Sequence, residues 1–156
     1  MGKYDAVDRE ILRRLQVDGR IANVDLAEAV RLSPSACLRR VRALEDDGLI
    51  AGYRAELDRK KIGLDLAVFL ELKVHGHSGD TANEIAAALL AIPSIVACHI
   101  VSGSADFLVE GALPDLNSYE RLLLDHVLAI PAVIDIRSTF AIRTIKTRGP
   151  LPVDGL

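Results

Sequence analysis

Apolar positions in the first fifty residues recur with the period of an α-helix, in three short runs separated by polar residues. Asp5 suits the N-cap of the first run, and Asn23 suits the N-cap of the second. Ser33 followed by Pro34 is typical of the start of a third helix, since proline is favoured at the first helical position. Only two residues separate the second helix from the Ser33 cap, a spacing that predicts a helix-turn-helix.

Beyond residue 64 the pattern changes to short apolar runs that alternate with helical ones. A weak internal repeat is visible, because a helix followed by Ile92-Pro93 or by Ile130-Pro131 leads into a strand each time. The predicted elements are the strand Leu66–Val74, the helix Thr81–Ala91, the strand Ile95–Ser102, the strand Asp106–Leu113, the helix Leu116–Leu128 and the strand Val133–Ile145. This βαββαβ order is the ferredoxin-like arrangement, so the predicted fold class is α+β.

These elements divide the chain into four parts. We expect a helix-turn-helix domain over residues 1–50, a linker with a connecting strand at Tyr53–Asp58 over 51–64, a ferredoxin-like domain over 65–147 and a tail over 148–156. Two helices would cover one face of the sheet. Because the first strand leaves neither face wholly polar, we expect a second copy to cover the other face.

The composition is that of a folded protein with a slight excess of acid. The chain has 156 residues, half of them hydrophobic, and a formal net charge of −3, which excludes a generally basic surface but allows a local basic element. Cys37 and Cys98 are too few for a disulfide scaffold. No secretory signal is visible, and the longest apolar run, Ile85–Ile92, is too short for a bilayer. We therefore expect a cytoplasmic protein without a membrane partner.

The third predicted helix carries three arginines and no acid up to residue 44. At about 100° per residue, Ser35, Arg39 and Arg42 lie opposite an apolar stripe that contains Cys37, while Arg40 lies on the flank. Such a helix fits the major groove of DNA, where arginine binds guanine edges or phosphate. The alternative is the solvated charged face of an ordinary three-helix bundle.

The sequence contains none of the short motifs GxxxxGK[ST], GxGxxG or HExxH that carry enzyme chemistry. His75 and His77 have a spacing at which two histidines can share a metal, but such residues more often end an exposed strand. Cys98 and His99 are neighbours in a predicted strand and point to opposite faces, so they do not form a catalytic pair. We predict no catalytic residues, no metal and no enzyme activity.

The predicted hairpin loop between the second and third strands offers a different kind of site. Gly103 leaves backbone N–H groups accessible, Ser102 and Ser104 offer hydroxyls, and Asp106 offers a carboxylate. A loop of this kind can hold a zwitterion, with Asp106 against its ammonium group. A plain hairpin accounts for the same residues and is the simpler interpretation of the chemistry alone.

Short motifs spread over nearly the whole chain add a family resemblance to these patterns. They are Asp8–Leu12, Leu15–Asn23, Leu26–Ala27, Leu32–Val41, Leu44–Glu45, Gly48–Tyr53, Ser102–Gly103, Asp106–Leu108, Tyr119–Glu120, Ile130–Pro131 and Arg137–Phe140. Together they resemble the Lrp/AsnC (feast/famine) family of prokaryotic transcription regulators. The resemblance implies an N-terminal helix-turn-helix joined by a strand to an amino-acid-sensing domain of ferredoxin-like fold.

The resemblance also implies partners and a ligand site. Members of the family form dimers through the C-terminal domain, and the dimers often assemble into tetramers, octamers or larger discs that wrap DNA. Many bind a small amino acid between dimers. By position, the implied effector-binding residues are Ser102, Gly103, Ser104, Asp106, Ser138 and Thr139. The family commonly has an aromatic residue where this chain has Ala105, so any pocket there is enlarged or reshaped.

We therefore hypothesise a homo-oligomeric regulator of amino-acid metabolism or transport that binds double-stranded DNA and needs no cofactor besides an amino-acid effector. Arg39 and Arg42 are expected to contact bases or phosphates, with Ser35 and Arg40 in support. The amides that follow Ser33 are expected to hold a phosphate. The alternative is an accessory domain whose helices bind another protein, which the lack of overall positive charge favours.

Overall fold

The computed structural model describes residues 3–75, 79–147 and 149–156. The chain divides into two compact units, one formed by residues 1–56 together with 146–156 and the other by residues 57–145. His77 of the candidate histidine pair and Arg148, the first residue of the predicted tail, lie outside the described residues.

The first unit is built from helices, as the sequence pattern predicts. Its described residues form α1 (Ala6–Val17), α2 (Asn23–Ala29) and α3 (Pro34–Asp46). The Asp5 carboxylate caps α1 by accepting the N–H groups of Val7 and Asp8, and the Asp8 carboxylate accepts the Asp5 N–H in return. The Ser33 hydroxyl caps α3 by accepting the N–H of Ala36. Both predicted caps are confirmed.

The predicted cap of α2 is wrong by one residue. Ala22 occupies the N-cap position without a side-chain hydrogen bond, and Asn23 is the first residue of the helix. The Asn23 amide donates instead to the carbonyl oxygen of Pro34, 2.9 Å away. Because this side chain is committed to a tertiary contact, it joins the beginnings of α2 and α3 rather than capping its own helix.

The apolar stripes of the three helices meet in one core. Its buried members are Ile11, Leu12, Leu26, Ala27, Val30, Cys37 and Leu44, together with Val153 from the C-terminal tail. The tail lies along α1, where the Gln16 amide exchanges two hydrogen bonds with the backbone of Leu151, at 2.6 and 3.2 Å. Arg13 forms an ion pair with Asp154 close by. The described tail residues are therefore part of the N-terminal unit.

The second unit has the predicted βαββαβ order. Its elements are β1 (Leu66–Val74), α4 (Gly79–Leu90), β2 (Ile95–Ile100), β3 (Phe107–Leu113), α5 (Leu116–Arg121) and β4 (Val133–Phe140). All pairings are antiparallel, and the strand order is β2-β3-β1-β4. This is the ferredoxin-like topology, so the predicted fold class is confirmed.

Alternate residues of β1 form the centre of the second core. Val68, Leu70, Leu72 and Val74 are buried and pack with side chains from α4, from β3 and from the segment after α5. The intervening residues point to the other face of the sheet, where Phe69 remains 36% exposed. One face of the sheet is thus covered by helices, while the other keeps apolar surface in contact with water.

Two predicted strand segments are not formed. Residues 53–58 are irregular, because no described part of the chain pairs with their backbone groups. The last strand ends at Phe140 rather than at Ile145, since the antiparallel β1 begins beside it, at Leu66, and the final bond joins the Ala141 N–H to the Ala67 carbonyl at 3.0 Å. A strand that extends beyond its partner has no ladder to join.

The last predicted helix is less regular than its sequence suggests. α5 ends at Arg121, and the next six residues, Leu122–Val127, form a π-helical turn. After this turn the Leu128 N–H donates to the carbonyl of Leu123, five residues earlier, at 2.9 Å. Such a turn rotates the following side chains about the helix axis, and π-helical turns are frequent at functional sites.

Candidate functional site

The outward face of α3 is basic and exposed, in the phase that the sequence predicts. Arg39 and Arg42 are exposed, whereas Cys37 on the opposite side is fully buried. Within the described part of the chain, neither arginine forms an ion pair. Two unpaired guanidinium groups on one helix face are suited to bind a polyanion.

Arg40 differs from its two neighbours because it is bound to α1. Its Nη1 donates to the carboxylates of Asp8, at 2.7 Å, and of Asp5, at 2.9 Å. These carboxylates raise the pKa of Arg40 above its ordinary value. The Asp8 N–H, assisted by Arg40, holds the pKa of the Asp5 carboxyl below its usual value. The structure therefore ties the predicted supporting arginine to the first turn of α1.

The beginning of α3 presents few unused amides. Pro34 has no N–H, and the Ala36 N–H is taken by the Ser33 hydroxyl at 3.3 Å. The Ser35 hydroxyl lies 3.2 Å from that of Ser33. In the first turn, the Ser35 N–H is thus the amide for which the described residues supply no acceptor. A phosphate at this helix end would be bound there.

The predicted effector loop lies between β2 and β3 and is longer than expected. Ser102, Gly103 and Ser104 are exposed in it. The Asp106 carboxylate accepts the N–H of Val74 at 2.9 Å, and its backbone N–H donates to the carbonyl of Leu72 at 2.9 Å. Asp106 therefore fixes the loop against the end of β1, while the serine hydroxyls face water.

The remaining predicted effector residues, Ser138 and Thr139, are neighbours in β4 and point to opposite faces of the sheet. The Tyr119 hydroxyl donates to the Ser138 hydroxyl at 2.9 Å, and the Tyr119 ring packs edge-on against Phe140 at 5.0 Å. A cleft of about 310 Å³ opens beside this pair. It is lined by Tyr119, Leu123, Leu128, Ile134, Asp135, Ile136 and Ser138.

One chain does not bring the two groups of predicted effector residues together. Within the sheet, β1 lies between β3 and β4, so the Ser102–Asp106 loop and Ser138 are separated by two strand spacings, roughly 10 Å. Along the strands, Leu72 is level with Ile136, whereas Ser138 pairs two residues further on with Leu70. Within one chain, the two groups therefore do not form a single compact pocket.

The described residues give little support for a metal site, a reactive cysteine or a membrane span. Those residues contain no group of three or more metal-ligating side chains. Burial raises the pKa of the Cys37 and Cys98 thiols, so both are poor nucleophiles at neutral pH. None of the described helices is long and apolar enough to cross a membrane.

Sequence inspection missed two features of these sites. Asp5 and Asp8 are recognisable as a capping pair, but their contact with Arg40 joins residues more than thirty positions apart. The cleft beside Ser138 is lined in part by Leu123, within the π-helical turn, and by Leu128, directly after it. Neither feature leaves a local pattern in the sequence.

Comparisons with known proteins agree over most of the chain. The model of a winged helix-turn-helix DNA-binding domain matches residues 4–51, and the model of the Lrp/AsnC ligand binding domain matches residues 67–151. The leucine-responsive regulatory protein of Salmonella typhimurium is 39% identical over 149 residues, which are 96% of this chain and 91% of that protein.

Two solved structures are similar over nearly their full length. One is a transcriptional regulator from Neisseria meningitidis in complex with L-Met, with a TM-score of 0.93, 34% identity and coverage of 98% of this chain and 99% of that one. The other is an AsnC family transcriptional regulator from Agrobacterium tumefaciens, with a TM-score of 0.93, 33% identity and the same coverage.

Proposed function

Since the chain belongs to the Lrp/AsnC family of DNA-binding transcription regulators, we propose that it controls genes of amino-acid metabolism or transport in response to a small amino acid. Its relatives are regulators and not enzymes. The proposal has three parts, which are DNA contact through α3, an effector site at the sheet, and assembly of several copies.

The DNA part is supported above all by Arg39 and Arg42, which are exposed and unpaired in the described structure on the face of α3 opposite its buried stripe. In a dimer, two such helices enter successive major grooves about one helical turn apart, so the binding site is roughly palindromic. Arg39 and Arg42 contact base edges or phosphates.

The other residues predicted to take part in DNA binding support Arg39 and Arg42. Ser35 lies at the end of α3 that enters the groove, and its N–H, next to the Ser33 cap, holds a phosphate oxygen. Arg40 supports DNA binding indirectly, because its bonds to Asp5 and Asp8 set the position of α3 against α1. It is thus a positioning residue.

The effector part uses Ser102, Gly103, Ser104, Asp106, Ser138 and Thr139. The first four supply polar groups in one loop, and Ser138 adjoins the cleft beside Tyr119, whose lining includes four leucine and isoleucine side chains. Polar groups for a zwitterion and apolar walls for a side chain are what an amino acid requires. The regulator from Neisseria meningitidis, solved with L-Met, supports this class of ligand. Ala105 leaves more room than an aromatic residue, so the preferred amino acid differs from that of relatives with an aromatic residue there.

The assembly part starts from the sheet face that carries Phe69. A second copy removes this apolar surface from water, which gives a dimer. An effector that contacts both the Ser102–Asp106 loop and Ser138 lies where copies meet, so it favours one state of a tetramer or an octamer over another. An effector shifts such an equilibrium only by its difference in affinity for the two states. For a protein with this function we propose a cytoplasmic location.

The experiment that tests the proposal measures binding of the purified protein to duplex DNA from upstream of its own gene. Fluorescence anisotropy is recorded at two salt concentrations, with and without a mixed pool of amino acids. We expect tight binding that weakens steeply with salt and a shift in affinity with the pool. Fractions of the pool then identify the effector.

The outcomes separate the parts of the proposal. Absence of binding to this DNA and of retention on heparin would contradict the DNA surface on α3. Normal binding that no amino acid changes, in affinity or in assembly by light scattering, would contradict the effector part alone.

A further inference from the structure

Arg31 holds an unusual backbone conformation in the turn between α2 and α3. Among the described residues it is the single non-glycine residue with a positive φ, at 57°. This left-handed region is unfavourable for a residue with a Cβ and natural for glycine. A non-glycine residue in this conformation requires an explanation, either from the hydrogen bonds of the turn or from a contact of the side chain.

The hydrogen bonds of the turn explain the left-handed backbone of Arg31, but they do not explain why the residue there is an arginine. The Leu32 N–H donates to the Ala27 carbonyl at 2.9 Å, and the Arg31 N–H donates to the Glu28 carbonyl at 3.1 Å. This pair of bonds is the Schellman motif, which needs a left-handed residue at its centre. α3 also ends at a left-handed residue, Gly48 at φ 74°, whose N–H donates to the Glu45 carbonyl at 2.9 Å.

The comparison between the two turns isolates the role of the Arg31 side chain. Both α2 and α3 end at a left-handed residue whose N–H donates to a carbonyl three residues earlier, and this residue is arginine after α2 and glycine after α3. The Arg31 side chain is exposed and forms no hydrogen bond or ion pair with the described residues. It therefore adds no contact to the described fold that would compensate for its backbone strain.

The position of Arg31 points to a partner outside the chain. It lies two residues before Ser33, the cap of the helix end that enters the major groove in a helix-turn-helix. Two residues span at most about 7 Å, so the backbone of Arg31 lies close to the edge of that groove and the side chain extends from there. The groove is bordered by phosphates, which arginine binds with charge-assisted hydrogen bonds.

We propose that Arg31 contacts a backbone phosphate of bound DNA and that this contact compensates for the strain of the turn. It is a sequence-independent contact that orients α3, and it is separate from the contacts proposed for Arg39 and Arg42 on the outward face of that helix. The inference rests on the proposed DNA surface of α3 and extends it to the turn.

The test compares Arg31→Gly with wild type on two duplexes of equal length, one from upstream of the gene and one of random sequence. Arg31→Gly removes the Cβ strain, so the thermal unfolding midpoint rises by a few degrees. At the same time, DNA affinity falls about tenfold for both duplexes, and the slope of log affinity against log salt falls by about one. Arg31→Lys keeps the charge and restores most of the affinity.

The matched control is Arg14→Ala, which removes an arginine of the same unit whose guanidinium already binds Glu10 at 2.8 Å. It leaves DNA affinity within twofold of wild type. An Arg31→Gly protein that is more stable and binds both duplexes as wild type does would overturn the phosphate contact. Failure of wild type to bind either duplex would overturn the proposed DNA surface as well, so the two failures are distinguishable.

Discussion

The Arg40 guanidinium lies 2.7 Å from the Asp8 carboxylate, and this contact joins the helix proposed to enter DNA to the first turn of α1. The Asp8 side chain is only 14% exposed, so the pair is partly shielded from water and from salt. The same carboxylate caps α1 through the Asp5 N–H. One acid thus fixes both the beginning of α1 and the flank of α3.

Arg40→Ala is expected to lower the free energy of unfolding by about 1 kcal/mol, because it leaves a partly shielded carboxylate without its cation. Because Arg40 positions α3, affinity falls by a similar factor for specific and random DNA. Urea unfolding of Arg40→Ala, Asp8→Ala and the double variant forms a cycle whose coupling measures the pair. A stable Arg40→Ala protein that loses only specific binding would instead identify Arg40 as a base contact.

Arg39→Ala is expected to leave stability unchanged, since no described residue pairs with this side chain. If Arg39 contacts a base, the substitution weakens binding to the specific duplex by about 1–3 kcal/mol and random DNA much less. Arg42→Ala provides the neighbouring comparison on the same face. Anisotropy titrations with both duplexes measure the two affinities. Equal losses of affinity for the specific and the random duplex would assign Arg39 to a phosphate.

The regular part of this fold could be predicted because its signals are local. The caps at Asp5 and Ser33 and the alternation in β1 each lie within a few residues, and the structure confirms them. The strand proposed at 53–58 failed because a strand needs a partner, and pairing is not a local property. The prediction of Asn23 as a cap was wrong for the same reason, because its side chain binds the carbonyl of Pro34 in another helix.

In the candidate site, too, the features with local signals could be predicted and those that depend on distant contacts could not. Helical phase alone placed Arg39 and Arg42 on the exposed face of α3. The same phase did not distinguish Arg40 from them, because its carboxylate partners come from another helix. Resemblance supplied the effector residues, but their separation across β1 depends on strand order, which residue types do not specify.

Gly111→Ala is expected to destabilise the second unit. A Cβ at this position would lie 2.9 Å from Cγ1 of Val68, which is fully buried and has a stiff, branched side chain. Overpacking of this kind costs about 1–3 kcal/mol. Urea unfolding measures it, with Gly155→Ala as the control because nothing lies within 4 Å of a Cβ there. Equal midpoints for wild type and Gly111→Ala would show that the strand can shift.

Ala105→Phe is expected to change which amino acid the protein senses. Ala105 is half-buried next to Asp106, so a ring at this position takes space from the proposed effector site. Response to a large amino acid weakens about tenfold or more, whereas DNA affinity without amino acid stays the same. Ala105→Ser is the control that adds little volume. An unaltered response of Ala105→Phe would remove this position from the site.

Tyr53 links the segment after α3 back to that helix, and its titration is expected to report the contact. Tyr53 remains 49% exposed. Its partial burial, followed by the hydrogen bond that its hydroxyl donates to Glu45 at 2.9 Å, raises the pKa of Tyr53 to about 12. The unfolded chain releases this proton near its ordinary value, about 10. The folded state therefore holds the proton longer, so this contribution to stability is complete below pH 10 and is lost as the pH rises towards 12. The difference between the ultraviolet titrations of wild type and Tyr53→Phe isolates this group, and Glu45→Gln should shift its midpoint downwards. A midpoint near 10 in wild type would show that the Tyr53–Glu45 contact does not form in solution.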